Sequence, residues 1–561
     1  VGASARLVFM IFLAEGAFLG LSGWLLAIPI SSFLVRHLLH SVSQTISTLF
    51  VRVKVDRLAL DGWEVALSFG VTVFIAVLAA WQPAREAMQV APKEALEIAP
   101  PGGQLRRSLR QLARAGLVLI FLAWPLSQLP GTTDMPLPGY AAILILFVGF
   151  SLLTPWMLEK MGAILSAPIR RLAGIPAYLA SRYVRDSGTR TAVSVGALIT
   201  AVALFASLVI MIHSFRRTVE LWVQQTVSGD LFLTTKMGEI NRFRYPLPPK
   251  IVAALQHLPI QVDMVPNRRF FLTYDSFPYE FEVLDMHVFL QHGAFVWLQG
   301  DPAKICPRLI RGEGVIVSEV FSNRTGLSVG DPFQARIEES LVKLPILGIV
   351  RDYRTQGGVV FYSLSEFKAR FHDPHWSGVR FFIRDRNQKL DDAIAALRRT
   401  IIERGGENLD MINGRELRQS VLRVFDETFA VTTVLLLIAL VVAALGITTT
   451  LTVLVLERSR QLNTLFAVGG SFGQIRSMIF WEAALMVVAG EIAGLGCGFI
   501  LSHLLIFVIN RQSFGWTFLY GVDWRVLGMS LPLIVMTALA AALPAIKMVF
   551  REPPATLLRQ R

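Results

Sequence analysis

Residues 457–482 read ERSRQLNTLFAVGGSFGQIRSMIFWE, a basic amphipathic segment wedged between two long apolar runs. The run before it, Phe429 to Leu456, and the run after it, Ala483 to Val508, are each long enough to cross roughly 30 Å of hydrocarbon. The segment between them is short and charged, so it lies at a membrane surface, either resting in the headgroups or meeting a soluble partner. Helical spacing gathers Leu462, Leu465, Phe466 and Val468 on one apolar flank and leaves Glu457, Arg458, Arg460 and Gln461 in water, with Gly469 and Gly470 ending the helix.

A repeat favours the partner. Gly2-Ala3-Ser4, then Glu15 and Gly23, match Gly469-Gly470-Ser471, then Glu482 and Gly490, at a constant separation along the chain. At the far end Pro83-Ala84, Ala87-Met88, Pro92 and Leu96 read like Pro544-Ala545, Lys547-Met548, Pro553 and Leu557. Each unit has the same order of coupling element, helix, loop, helix and proline-containing tail, and duplicated membrane segments are common in transport machinery.

At these residues the chain resembles the FtsX-like permease family, the MacB and LolCDE type of ABC transporter subunit. The resemblance rests on Glu457-Arg458, the run Leu465 to Ser471, Glu482, Pro544-Ala545 and Pro553 to Leu557. Gln461, Phe466 and Gly470 depart from the family pattern, where an acidic residue, an arginine and an alanine are usual. The family implies that Glu457, Arg458, Arg460, Gln461, Leu462, Leu465, Phe466, Gly469 and Ser471 meet a separate ABC ATPase, itself a dimer, which supplies ATP and Mg; this chain binds no cofactor of its own. It also implies an α-helical integral membrane protein of the bacterial inner membrane, with an inserted α+β extracytoplasmic domain.

Composition agrees with a membrane chain. Of 561 residues 53% are hydrophobic, gathered in blocks, and the net charge of +13 comes from basic residues clustered at the ends of those blocks, which is membrane topology rather than a nucleic-acid surface. Cys306 and Cys497 are the only cysteines, one in the insert and one in an apolar helix, which argues against a disulfide between them. The chain starts at Val1, inside the repeat marker, so the expectation is a first unit that lacks its opening helix and insert.

About eight spans are expected, near 7–32, 63–81, 115–129, 139–157, 192–213, 428–456, 477–509 and 526–547. Arg85, Lys93, Arg106, Arg107, Arg110 and Arg114 in one loop, and Lys160, Arg170, Arg171, Arg182, Arg185 and Arg190 in another, place both loops and both ends of the chain in the cytoplasm. The expected domains are 1–99, the end of a first FtsX-like unit; 100–191, a linker with two spans; 192–213, the first span of the second unit; 214–427, the extracytoplasmic domain; and 428–561, a permease domain holding the coupling helix, 457–475. In the insert, strands are expected at Asp230–Thr234, Phe270–Tyr274, Tyr279–Leu284, Gly314–Ser318, Val342–Val350 and Val379–Ile383, and a helix at Lys389–Arg404. Asn413 to Leu456 reads as one continuous helix.

No Walker A pattern occurs, so any ATP hydrolysis belongs to a partner. Gly490, Gly494 and Gly498 recur every four residues, a seam for a close helix neighbour, with packing inside the chain favoured over a dimer. Glu15, Glu482 and Glu491 are acidic residues in or near spans; the first two read as anchors near the cytoplasmic face, the third as a deeper polar contact. His372-Asp373-Pro374-His375 lacks a fourth ligand and helical presentation, so no metal site is assigned. Arg511 to Trp516 reads as an interfacial aromatic anchor. No catalytic constellation stands out, which points to a transporter subunit rather than an enzyme. The cargo expected from the resemblance is a lipid, lipoprotein or amphiphile, with periplasmic or outer-membrane factors as further partners. The rival is a signalling scaffold that activates an external partner such as a cell-wall hydrolase.

Overall fold

The computed structural model describes residues 4–49, 62–89, 105–131, 135–186, 188–384 (apart from 239–240, 276, 338–339 and 356), 389–423 and 468–529, with scattered positions between 426 and 465 and between 532 and 540. It divides into two compact units, Val1–Leu109 with Arg423–Thr433, and Arg110–Leu422 with Val434–Arg561. In the first unit, α1 (Ala5–Leu49) and α2 (Gly62–Gln89) pack as an antiparallel pair. A methyl added at Gly16 would lie 2.6 Å from Ala80 Cβ and one at Gly20 2.6 Å from Ala76 Cβ, while Trp24 Nε1 donates to Ser68 Oγ at 3.1 Å, so contacts ascend one helix as they descend the other. Phe18, Leu19, Phe33, Phe74 and Leu78 stay exposed, an outer surface suited to lipid.

The second unit contains most of α3 (Leu105–Ser127), then α4 (Leu137–Asp186) and α5 (Gly188–Gln225). The third span is longer than expected because Leu109, Leu112, Ala113 and Gly116 carry a buried helical stripe back through the arginines. The helix of the fourth span likewise continues past 157 to Asp186, with a break at Gly174, whose φ of 80° is left-handed. The fifth runs to Gln225 rather than stopping at 213, because Phe215, Val219, Trp222 and Val223 prolong its buried stripe into the insert. Among the described residues six helices are long and apolar enough to cross a membrane. Most of the expected span at 428–456 and of the one at 526–547 falls outside the described residues, as does most of the continuous helix expected from 413; residues 414–423 are helical.

The insert is α+β. Its strands are β1 (Leu231–Thr235), β2 (Val262–Tyr274), β3 (Phe277–Leu284), β4 (Val296–Gln299), β5 (Val315–Ser318), β6 (Pro332–Ile337), β7 (Ser340–Arg351), β8 (Val359–Ser363), β9 (Gly378–Ile383) and β10 (Leu409–Asn413). They form one mixed sheet in the order β10-β1-β9-β2-β3-β8-β5-β7-β4, with β6 against β7; β3–β8 and β5–β7 are parallel. The helices are α6 (Pro249–Leu255), α7 (Met286–His292), α8 (Pro302–Ile310), α9 (Glu319–Thr325), α10 (Leu364–Phe371) and α11 (Leu390–Ile401). Central strands β5 and β8 are buried on both faces: Val315, Val317, Val360 and Tyr362 join one core with Phe281, Phe321 and Phe333, while Ile316, Val359 and Phe361 join a second with Phe289 and Phe295. That two-sided burial is why these strands are continuously apolar rather than alternating. Strands β4, β6, β8 and β10 lie outside the runs expected from the sequence.

After the insert, α12 (Phe472–Leu504) runs between α4 and α5, continues through a π-helical turn at Leu505–Ile509 and ends in α13 (Asn510–Phe514). A Cβ at Gly490 would meet Leu198 Cδ2 at 2.5 Å, one at Gly494 Val202 Cβ at 2.6 Å and one at Gly498 Ala206 Cβ at 2.8 Å. Both numberings rise together, so α12 and α5 are parallel, and the glycine seam is filled from within the chain.

Candidate functional site

Two places on α12 differ from the apolar rod between them. At its start the preceding helix stops at Gly469, whose φ of 104° is left-handed, and Gly470 N donates to Leu465 O at 2.9 Å across the turn. Ser471 opens α12 with a reciprocal cap, Gln474 N donating to Ser471 Oγ at 3.3 Å and Ser471 N to Gln474 Oε1 at 2.9 Å. The chain turns at the two glycines expected to end the helix, and of the stretch bounded at 457–475 the residues 472–475 form the first turn of α12. Leu462 is 1% exposed and joins the core of the helical bundle, whereas Leu465 is 42% and Val468 83% exposed. These leucines and valine do not share one flank: each three-residue step turns the side chain back by about 60°, walking it off the buried face. Phe472, 53% exposed, stands just beyond the turn. Glu457, Arg458, Arg460, Gln461 and Phe466 lie outside the described residues.

At its far end α12 is clasped to the insert. Thr517 donates through Oγ1 to Glu319 Oε1 at 2.7 Å and through its backbone N to Oε2 at 3.1 Å, both at the start of α9. Asn323 Nδ2 donates to Gly515 O at 2.7 Å and Arg511 Nε to Asn323 Oδ1 at 3.3 Å. Trp516 packs at a tilt with its ring 4.5 Å from that of Tyr353 and lies 5.9 Å from Phe215, which itself meets Phe518 edge-on at 4.8 Å. The following loop is held to α5, with Leu519 N donating to Thr218 Oγ1 at 2.9 Å and Gly521 N to Ser214 Oγ at 3.0 Å. Within the Arg511 to Trp516 stretch, expected as an interfacial aromatic anchor, the tryptophan also packs on aromatic rings of the insert and of α5, while Phe514 is exposed. Burial pushes the Glu319 carboxyl above its ordinary value, against the pull of the Thr517 hydrogen bonds.

The foot of α5 is tied to the same domain through buried charge. Trp222 Nε1 donates to Asp352 Oδ2 at 3.3 Å, and an Arg380 terminal nitrogen donates to Thr226 O at 2.8 Å. Arg380 also reaches Glu282 at 3.0 Å, Arg354 reaches Glu282 at 2.7 Å and Asp352 at 3.1 Å, and Arg269 pairs with Glu280. Three carboxylates thus face three guanidinium groups. Burial alone raises the Glu282 carboxyl, but the fields of Arg354 and Arg380 outweigh it and hold it well below the usual range. Desolvation likewise opposes the charge on Arg354, and Asp352 and Glu282 overcome it.

Of the remaining expected residues, Glu15 is exposed on α1, while Glu482 and Glu491 are buried in α12. Asp373 is engaged by Arg268 at 3.0 Å and by His375 at 2.6 Å, so the His-Asp-Pro-His stretch is part of an ion pair. Cys306 and Cys497 are free thiols. Sequence reading missed the clasp and the charge cluster. A weak signal existed in the charged residues of otherwise apolar strands, such as Glu280 and Glu282 in β3.

Residues 433–554 match the model of the FtsX-like permease C-terminal domain. An uncharacterised ABC transporter permease protein of Mycobacterium tuberculosis is 25% identical over 97% of this chain, which spans 63% of that relative's length. Among solved structures, the periplasmic region of MacB from Actinobacillus actinomycetemcomitans aligns with 34% of this chain and 91% of its own at 12% identity and a TM-score of 0.25. The extracellular domain of the ABC-type transporter YknZ from Gram-positive bacteria aligns with 33% of this chain and 99% of its own, at 12% identity and a TM-score of 0.24. The apolar helices are those of an integral membrane protein, residues 433–554 are similar to the FtsX-like permease C-terminal domain, and the chain as a whole is similar to an ABC transporter permease.

Proposed function

We propose that this chain is the transmembrane subunit of an ABC transporter of the bacterial inner membrane, coupling ATP hydrolysis on a separate ATPase to movement of its inserted domain. The observation that carries this reading is the build of α12, one helix with an exposed apolar turn at its start and a clasp onto the insert at its end. A displacement of the turn travels along α12 and its parallel neighbour α5, and both enter the insert through directional bonds. The ATPase, a dimer holding ATP and Mg, engages Leu465, Val468 and the polar residues before them from the cytoplasm. The insert then works on the opposite face, on a lipid, lipoprotein or amphiphilic cargo.

Leu465→Asp tests the coupling step, because it puts a charge into the exposed apolar turn while leaving buried Leu462 in place. The full chain is expected to copurify with an ATPase and alter its rate, and the substitution to abolish that response. Association and rate unchanged by Leu465→Asp would remove the docking role of the turn, and absence of any associated ATPase would remove the transporter reading itself.

A further inference from the structure

Helix α4 does not stop where the fourth span is expected to end. A methyl added at Gly196 of α5 would lie 2.9 Å from Ser151 Oγ, and one at Gly162 would lie 2.7 Å from Ser181 O and 2.9 Å from Arg185 Cβ. Contacts fall along one limb as they rise along the other, so α4 folds back on itself at the Gly174 break. From 157 to Gly174 the first limb runs on for roughly 25 Å at 1.5 Å per residue, beyond a headgroup layer of about 5–8 Å.

The start of α12 reaches a similar depth. Gly490 stands opposite Leu198 and Gly494 opposite Val202; carried down the same parallel register, Phe472 falls level with Ala180 of the second limb. Ile169, Ala177 and Ala180 of the hairpin share one buried core with Leu462, Ile475 and Met478. The hairpin therefore stands beside the exposed turn that holds Leu465 and Val468.

Its outer face is left over from that packing. Arg170, Arg171 and Arg182 are exposed, and Ile175 between them is 67% exposed. Among the described residues of the hairpin only Arg185 pairs with a carboxylate, Asp186 at 2.9 Å. Arg170 from the first limb and Arg182 from the second both lie over the Tyr178 ring, 5.5 and 6.0 Å from its centre, so two guanidinium groups are gathered without being neutralised. Basic residues close to a span are a topology signal, but these stand past the headgroups and frame an isoleucine.

We propose that the tip of this hairpin is a second contact for the ATPase, which meets it with an acidic surface that pairs with Arg170 and Arg171 and buries Ile175. The proposal rests on the coupling reading above and adds to it a fixed point beside the moving turn. Guanidinium forks suit carboxylates because they donate two parallel bonds.

The test follows hydrogen exchange across residues 168–179 in the chain held in phosphatidylcholine nanodiscs, alone and bound to the copurified ATPase, which its Walker A peptide identifies. Binding is expected to slow exchange there at least about tenfold. Arg170→Glu with Arg171→Glu should weaken ATPase binding at least about tenfold, because like charges then face each other. The melting temperature should stay native, since neither arginine has a carboxylate partner to lose among the described residues. Arg170→Lys with Arg171→Lys should keep most of the affinity. An ATPase whose rate responds to Leu465→Asp, but which leaves 168–179 unprotected and ignores the double reversal, overturns this contact and spares the coupling reading; a chain with which no ATPase associates loses both. Protection that appears without the ATPase when phosphatidylglycerol replaces phosphatidylcholine seats the tip on lipid and overturns the proposal as well.

Discussion

Glu282 and Glu319 are buried carboxylates of the same domain whose surroundings push them in opposite directions. Glu282 is held low in the fold, so relative to an ordinary value of about 4.3 it adds stability that is complete above that pH and is lost as pH falls towards its folded value. Glu282→Gln leaves buried Arg380 without its carboxylate and Arg354 with only Asp352 and Glu280, and should cost about 3–5 kcal/mol, measured as a shift in the unfolding midpoint at neutral pH; native-like stability would sink the charge-cluster account. Glu319 is raised, so the clasped state binds its proton more tightly than an open one would. The clasp is then strongest below about 4.3 and loosens as pH rises through the raised folded value. Hydrogen exchange at the Thr517 amide, corrected for intrinsic rate, should speed up across that window, and Glu319→Gln should flatten the dependence. Protection that grows with pH would contradict the sign.

At the scale of the element, α12 owes its place to three glycines on one face. Gly494 is the test position: a Cβ there meets Val202 Cβ at 2.6 Å and Ile199 O at 3.2 Å, and the carbonyl belongs to a rigid helix. Gly494→Val should cost about 1–3 kcal/mol as overpacking, read as a lower melting temperature in detergent, whereas Gly496→Ala two residues away, with nothing within 4 Å, should be near neutral or better. Equal effects at the two positions would mean that the α5 seam does not hold the pair. The helix stop at Gly469 and the Ser471–Gln474 cap set where this element begins, so the exposed turn is a consequence of local chemistry rather than of packing.

Across the whole molecule, what the sequence by itself determined is local or periodic: the described apolar spans, the glycine spacing, the stop at Gly469 and the apolar strands of the insert. Each is written within a few residues, in helical period, strand alternation or cap chemistry, and those signals act over one or two turns. Tertiary structure decided which faces meet. It filled the glycine seam with α5, buried Leu462 while leaving Leu465 in the open, and set Trp516 against Tyr353 of the insert. Thr517 and Glu319 stand 198 positions apart, and Trp222 and Asp352 130 apart. No local pattern announces such pairs, because a buried carboxylate has the same sequence signature as an exposed one until the fold brings its partner within reach.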